Sequence, residues 1–161
     1  MFSADAIFSY RKFAFISPKG KFCGIWAKNR NTTHYHQIHD SVRGSKGGVL
    51  YSNRTESQDP TYSMKSFDTD GFTLGDQLSA IHGSGNNIVA WSWKAGGGGG
   101  KYNIDGVPYA DFANTGLTAG DITPIGMSVN TKAGFSIVKY EGSGGDATVP
   151  HGLSSAPSMI I

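Results

Sequence analysis

The fold class can be predicted from two stretches of sequence, Phe67-Asp68-Thr69-Asp70-Gly71-Phe72-Thr73-Leu74-Gly75 and Asn87-Ile88-Val89-Ala90-Trp91-Ser92-Trp93-Lys94-Ala95. In the first, an Asp-Thr-Asp-Gly segment typical of a hairpin turn separates two short apolar runs. In the second, large and small side chains alternate from Ile88 to Lys94. A repeat of two residues places successive side chains on opposite faces of a β-strand. Both stretches therefore predict antiparallel strands and an all-β fold.

The alternation in the second stretch raises the question of which face is buried. Val89, Trp91 and Trp93 share one face, and we expect it to form core together with Phe72 and Leu74. Under this interpretation Trp91 is a structural residue. The alternative is an exposed aromatic platform on which a sugar could stack, which makes Trp93 a candidate ligand-binding residue.

Composition agrees with short strands joined by turns. The 161 residues include 23 glycines, with 12% aromatic and 16% charged residues. The single cysteine, Cys23, excludes a disulfide framework and is expected to be a buried thiol. The apolar N-terminal stretch is interrupted by Asp5 and Arg11-Lys12, so it does not predict a signal peptide. No apolar run approaches the ~18 residues of a membrane span, so no membrane partner is expected.

Charge is distributed unevenly along the chain. Residues 1–54 carry nine Lys or Arg against two Asp, whereas residues 55–161 carry five against ten Asp or Glu. The basic residues are scattered and lack a stacking motif, so we expect solvated strand faces and no nucleic-acid partner.

Three histidines lie close together in sequence, at His34, His36 and His39. In an extended segment His34 and His36 share a face, where two imidazoles could hold a metal or another ligand. His39 could join them only if the strand bends. Packing and hydrogen bonding are the alternative roles for these side chains.

No catalytic pair is predicted. A retaining glycosidase needs two carboxylates about 5 Å apart. Glu56 and Glu141 are the only glutamates, and both are expected in loops. Asp68 and Asp70 alternate, but at a turn, where aspartate is favoured for its local backbone hydrogen bonds. We therefore expect no enzymatic activity.

Several further segments carry a family resemblance. Phe22 to Arg30, Asp40-Ser41-Val42-Arg43-Gly44 and Val49 to Asn53, with the two stretches quoted above, resemble a concanavalin-like (laminin-G-like) repeat domain of the DUF7483 type in tailed-phage virion and tail-fibre proteins. This resemblance implies an antiparallel β-sandwich of jelly-roll type. Within it, Asp40 and Arg43 are expected to have structural roles, with Gly44 closing the strand into a turn. His151 is expected to satisfy backbone groups at a strand end.

The resemblance also divides the chain. Residues 1–21 remain unassigned, and residues 22–95 resemble the main part of one repeat. Gly96 to Gly100 is expected to be a flexible joint, and it opens a glycine-rich linker with short strands over 96–133. Residues 134–161 resemble the opening strands of the next repeat, so the resemblance implies that the chain is a fragment of a longer protein. In a circularly permuted closure, burial of Phe135, Ile137, Val138 and the strand Met159-Ile160-Ile161 would complete the same sandwich.

The function that the resemblance implies is non-catalytic: a structural or adhesive module of a virion or tail fibre that contributes to host-surface binding. The alternatives are a carbohydrate-binding (lectin-like) module and a glycan depolymerase. No cofactor is required, but such jelly rolls often bind calcium, for which Asp68, Asp70 and Asp76 are candidates. Expected partners are other virion domains or repeats, a cell-surface glycan, and further copies of the chain. The expected location is the virion, after synthesis in the host cytoplasm.

Overall fold

The computed structural model describes residues 23–76, 78–97 and 99–161. The unassigned segment 1–21 and the first residue of the family-like region, Phe22, lie outside the described residues. The described chain is all-β, as predicted. Its helices are one four-residue turn, α1 (Ser79–His82), and one 3₁₀ turn at Ala113–Thr115. No helix in this part of the chain has the length and apolar character needed to cross a membrane.

Two four-stranded sheets and one hairpin make up the fold. The first sheet has the order β3-β2-β1-β6 and is antiparallel throughout; it comprises β1 (Gly24–Asn29), β2 (Gln37–Asp40), β3 (Leu50–Tyr51) and β6 (Ile88–Trp93). The predicted hairpin forms from β4 (Ser66–Phe67) and β5 (Phe72–Thr73), which pair across the Asp-Thr-Asp-Gly turn.

The second sheet has the order β10-β9-β7-β8, formed by β7 (Tyr102–Ile104), β8 (Val107–Tyr109), β9 (Gly126–Asn130) and β10 (Phe135–Lys139). Three of these four strands come from the segment predicted to be a linker. Strands β7 and β9 pair in parallel, which is an exception to the antiparallel prediction. The 21 residues between β7 and β9 contain β8 and the 3₁₀ turn, which is enough chain for the crossover that a parallel pair needs.

Each sheet covers a core on one face. On the first sheet the core consists of Ile25 and Ala27 of β1 with residues of the hairpin and of α1, namely Met64, Phe67, Leu78 and Ile81. Phe72, Leu74 and Ile88 pack against it and are partly buried. On the second sheet Tyr102, Met127 and Val129 pack under the loop that carries Phe112.

The two sheets pack together at one end, in the manner of a β-sandwich. Trp93 of β6 stacks on Phe135 of β10, with ring centroids 5.8 Å apart and planes 11° apart. A β-carbon at Gly24 would lie 3.7 Å from Ile137, and the Asn130 side chain donates to the Lys94 carbonyl oxygen at 3.0 Å. Residues 134–139 therefore contact the region 22–95 through side chains, while β10 pairs with β9.

The glycine run after the first sheet is packed at its start. Gly96 and Gly97 are buried, and a β-carbon at Gly96 would lie 1.8 Å from the Asn103 side-chain oxygen. The prediction of a flexible joint is therefore wrong for these two residues. Here glycine is needed because another part of the chain approaches the backbone closely.

Two burial predictions are wrong. Trp91 is 46% exposed, because the register pairs it with Trp26 on the face of β1 opposite Ile25 and Ala27. The buried side of the first sheet is therefore the one that carries Ile88, and the Val89, Trp91 and Trp93 face is not core. Met159, Ile160 and Ile161 are 69–86% exposed and do not complete the sandwich.

Candidate functional site

A cleft of about 560 Å³ opens beside the first sheet, and we call it the tyrosine cleft. Its walls come from the residues preceding β2, from β3, from the loop that follows β3, and from the start of α1. The tyrosine and charged side chains that line it are Tyr35, Tyr51, Arg54, Glu56, Asp59 and Tyr62. Volumes of 300–1,000 Å³ are usual for sites of small ligands, and aromatic walls with a few polar groups are their usual lining.

The tyrosine pair forms the aromatic part of this cleft. The rings of Tyr35 and Tyr51 meet edge to face with centroids 5.6 Å apart. Tyr51 is placed by the sheet, since β3 pairs it with Gln37, which also lines the cleft. Partial burial raises the pKa of the Tyr51 hydroxyl above its usual value, and the charge of Asp59 raises it further. Tyr51 is therefore a neutral hydrogen-bonding group over a wide pH range.

Charged side chains form the polar part. The Arg54 guanidinium lies 3.9 Å from the ring centroid of Tyr35 and 5.7 Å from that of Tyr51. It also forms an ion pair with Glu56. Asp59 accepts a hydrogen bond from the Thr61 backbone at 2.9 Å and holds the turn at the far wall. The cleft thus combines aromatic rings with both a cation and carboxylates.

The predicted structural residues hold the wall of this cleft. Asp40 accepts hydrogen bonds from the backbone N–H groups of Val42 and Arg43 at 3.0 and 2.9 Å, and the Arg43 side chain pairs with it. Arg43 also donates to the carbonyl oxygen of Gly48 and to the side chain of Gln58 at 3.4 and 3.3 Å. These contacts bring the Arg43 side chain against the segment that follows β2 and the loop that follows β3. They connect the turn after β2 to the segment that carries Asp59.

Gly44 and His151, which also have predicted structural roles, both lie outside the strands. Gly44 has a φ of +88°, a conformation that side-chain-bearing residues rarely adopt. His151 accepts a hydrogen bond at Nδ1 from the Leu153 backbone at 3.1 Å. This contact requires the ring to be neutral with its proton on Nε2.

The face of the first sheet that carries Trp93 also carries a second aromatic surface, formed by Trp26, His36 and Trp91. Trp26 lies 5.6 Å from Trp91 and 6.3 Å from His36 between ring centroids. The Trp26 Nε1–H is buried and has no hydrogen-bond partner among the described residues. Trp93, the predicted ligand-binding residue, is instead partly covered by Phe135.

The three histidines do not form one site. His34 lies at the mouth of the tyrosine cleft, and His36 packs beside Trp26. His39 is 2% exposed on the core side, with Nε2 3.2 Å from the Gln37 side-chain oxygen. Burial lowers the pKa of His39 to about 4, and the neighbouring Arg43 charge contributes in the same direction. The alternation of the strand separates His36 from His39, so the proposed cluster is wrong.

The predicted calcium ligands do not come together. Within the described ranges, no group of three or more His, Cys, Asp or Glu side chains could hold a metal ion. Asp68 instead stabilises its own hairpin, accepting hydrogen bonds from the hydroxyls of Ser66 and Thr73 at 2.8 Å each. Asp70 and Asp76 are exposed. The prediction of calcium therefore receives no support from these aspartates.

The strand order and the motifs define an all-β domain. Residues 21–161 match the family model described as a domain of unknown function (DUF7483), and the chain belongs to this family. The DUF7483 part of the resemblance seen in the sequence motifs is thus confirmed. A search of curated proteins and a search of solved structures each found no match.

Of the residues that line the tyrosine cleft, His34 was predicted as a candidate ligand-binding residue, whereas the tyrosines were not. Tyr51 was predicted only as part of a strand, and no role was predicted for Tyr35, which lies between His34 and His36. Their signal was the presence of aromatic residues beside Arg54 and Glu56, only a few positions from strand ends. Recognising it required the β2–β3 register, which brings residues 16 positions apart into contact.

Proposed function

We propose that this domain is a non-catalytic adhesive module that binds carbohydrate, and that the tyrosine cleft is its binding site. The observation that carries the proposal is the pairing of the exposed ring of Tyr35 and the half-buried ring of Tyr51 with charged side chains in one cleft. Sugars have apolar C–H faces and a polar rim. A cleft with aromatic walls and several hydrogen-bonding groups therefore matches their chemistry.

The biological setting of this proposal rests on the motif resemblance. We place the module in a virion or tail-fibre protein of a tailed phage, where it would contribute to attachment to a glycan on the host cell. Neighbouring repeats, other virion domains and further copies of the chain are its proposed protein partners. We also propose that this domain has the jelly-roll topology of the domains it resembles.

The test is direct binding of the full chain to a glycan array, followed by calorimetry with the best glycan. Tyr35→Ala and Tyr51→Ala should each weaken binding by at least about fivefold, because each removes a ring worth on the order of 1 kcal/mol or more. Tyr140→Ala is the matched control, since Tyr140 is 53% exposed and does not line the cleft. Absence of binding to any glycan, or equal loss with Tyr140→Ala, would overturn the proposal.

A glycan depolymerase is the second candidate, because Glu56 and Asp59 line the same cleft. Hydrolysis with either stereochemistry needs an acid and a second carboxylate across the scissile bond. Here Glu56 is paired with Arg54 and Asp59 is bonded to the Thr61 backbone, so both carboxylates are engaged in structural contacts. Reducing-sugar release from a bound glycan, abolished by Glu56→Gln, would establish this activity instead.

A further inference from the structure

We infer that the tyrosine cleft recognises a positively charged group, the ammonium of an amino sugar, and that Arg54 occupies its place in the unliganded protein. The inference rests on the proposed function and names the ligand class of the same cleft. Its basis is the position of Arg54 relative to the two tyrosine rings. In effect, the chain holds its own cation where a ligand cation would bind.

The geometry around Arg54 is that of a cation bound by aromatic rings. Its guanidinium carbon lies over the Tyr35 ring at 3.9 Å and faces the Tyr51 ring at 5.7 Å. A cation within about 6 Å of an aromatic centroid is attracted by the negative face of the ring. Both rings therefore already form a binding site for positive charge.

The charge balance of the cleft favours the same kind of ligand. Among the lining residues of the described chain, Arg54 is the one Lys or Arg, and His34 is the one other basic side chain. Without Arg54, the carboxylates of Glu56 and Asp59 would face three tyrosine rings. An ammonium group would be attracted to this site, whereas a uronic or sialic acid would be repelled by the carboxylates.

Arg54 can be displaced at little energetic cost. Its side chain is 32% exposed and that of Glu56 is 48% exposed, so their ion pair is largely in water. Exposed ion pairs contribute little to stability because solvent screens the charges. A ligand ammonium that takes over the contacts with Glu56 and with the tyrosine rings would leave the guanidinium free to turn into solvent.

The experiment compares three probes of equal length by calorimetry on the full chain at one pH and salt concentration. The probes are a β-1,4-linked glucosamine tetramer, its fully N-acetylated counterpart, and a tetramer of a uronic acid. N-acetylation removes the charge and keeps the ring, which isolates the contribution of the cation. We expect the glucosamine tetramer to bind at least about fivefold more tightly than the acetylated one. Its affinity should fall as salt is added.

Variants separate competition by Arg54 from a direct role in binding. Arg54→Ala should bind the glucosamine tetramer about three- to tenfold more tightly, because the competing cation is gone. Glu56→Gln should weaken binding, and the exposed control Arg30→Ala should leave it unchanged. Circular dichroism melts of each variant establish that differences in binding do not arise from unfolding.

Each remaining outcome overturns a stated part of the inference. Equal or tighter binding of the acetylated or uronic tetramer, lost in Tyr35→Ala, would leave the carbohydrate site standing and contradict the cationic ligand. Weaker binding in Arg54→Ala would show that Arg54 contacts the ligand and does not compete with it. Failure of every probe and of the glycan array would overturn the proposed function together with this inference.

Discussion

Arg43 connects three segments of the first sheet through a single guanidinium group. It pairs with Asp40 and donates to the Ile38 carbonyl oxygen at 2.9 Å, as well as to Gly48 and Gln58 across the turn. The side chains of Arg43 and Asp40 are 9% and 11% exposed, so the pair is largely removed from water. Removing the Arg43 side chain leaves the buried Asp40 charge without its ion-pair partner, with only two backbone N–H groups to stabilise it.

Arg43→Ala should therefore lower the free energy of unfolding by about 3–5 kcal/mol. The matched control is Arg54→Ala, which breaks an ion pair whose side chains are 32% and 48% exposed and should cost about 0–1 kcal/mol. Urea denaturation of both variants at pH 7 measures the difference. Equal losses would show that burial of the Asp40–Arg43 pair does not determine its contribution.

His39 makes stability depend on pH because the folded protein holds it neutral. Its pKa is about 4 when folded and 6.5 when unfolded, mainly because the ring is buried. Between these values the unfolded chain binds more protons than the folded one, so stability rises with pH. The contribution is fully present above pH 6.5 and is lost as the pH falls toward 4.

Replacing the imidazole with an amide that does not titrate should remove this dependence. From pH 7 to pH 5 the wild-type chain should lose about 2 kcal/mol more stability than His39→Gln. Chemical denaturation at the two pH values measures the two losses. Carboxylates that titrate in the same range are common to both proteins and cancel in the comparison. Parallel pH profiles for the two proteins would contradict the assignment of a buried neutral His39.

Strand β6 was predicted correctly as a strand and wrongly as to its buried face. Period-two alternation is a local property of the backbone, so Ile88 to Trp93 could be recognised without knowing any partner. Both of its faces carry apolar side chains, and the larger ones were expected inside. Pairing with β1 determines which face of β6 is buried. Ile25 and Ala27 of β1 face the hairpin and α1, so Trp26 and Trp91 lie on the other side of the sheet.

This arrangement predicts unequal costs for two substitutions on neighbouring strands. Ile25→Ala should cost about 2–5 kcal/mol, because it leaves a cavity in a closed core. Trp91→Ala should cost about 1–2 kcal/mol, since much of the ring already contacts water and only its buried part is lost. Thermal and urea unfolding of the two variants provide the comparison. A larger loss of unfolding free energy for Trp91→Ala than for Ile25→Ala would show that the face carrying Trp91 is buried core.

The contact between the two sheets determines whether the molecule unfolds as one unit. The three tryptophans, Trp26, Trp91 and Trp93, lie in the first sheet, so tryptophan fluorescence reports on that sheet. Circular dichroism reports on both sheets. Because Trp93 stacks on Phe135 of the second sheet, the two signals should change at the same denaturant concentration.

Phe135→Ala, which removes this contact from the second sheet, should lower the midpoint of the tryptophan transition as well. A loss of about 1–3 kcal/mol is expected for a half-buried ring that stacks on another. Tyr140→Ala is a suitable control because Tyr140 follows β10 and is exposed. Separate fluorescence and dichroism transitions, with the tryptophan midpoint unmoved by Phe135→Ala, would show that the sheets unfold independently.

Features that depend on a few neighbouring residues could be predicted from the chain alone. Alternation in β6 and the turn between Phe67 and Phe72 were enough for the all-β class, and the Asp40 to Gly44 motif indicated a structural turn. Three features became visible only in the folded molecule: the buried side of the first sheet, the parallel pairing of β7 with β9, and the meeting of Tyr35, Tyr51 and Arg54 in one cleft. The reason is physical: period and turn chemistry are properties of the local backbone, whereas burial and side-chain encounters depend on strand register and on the elements that cover each face.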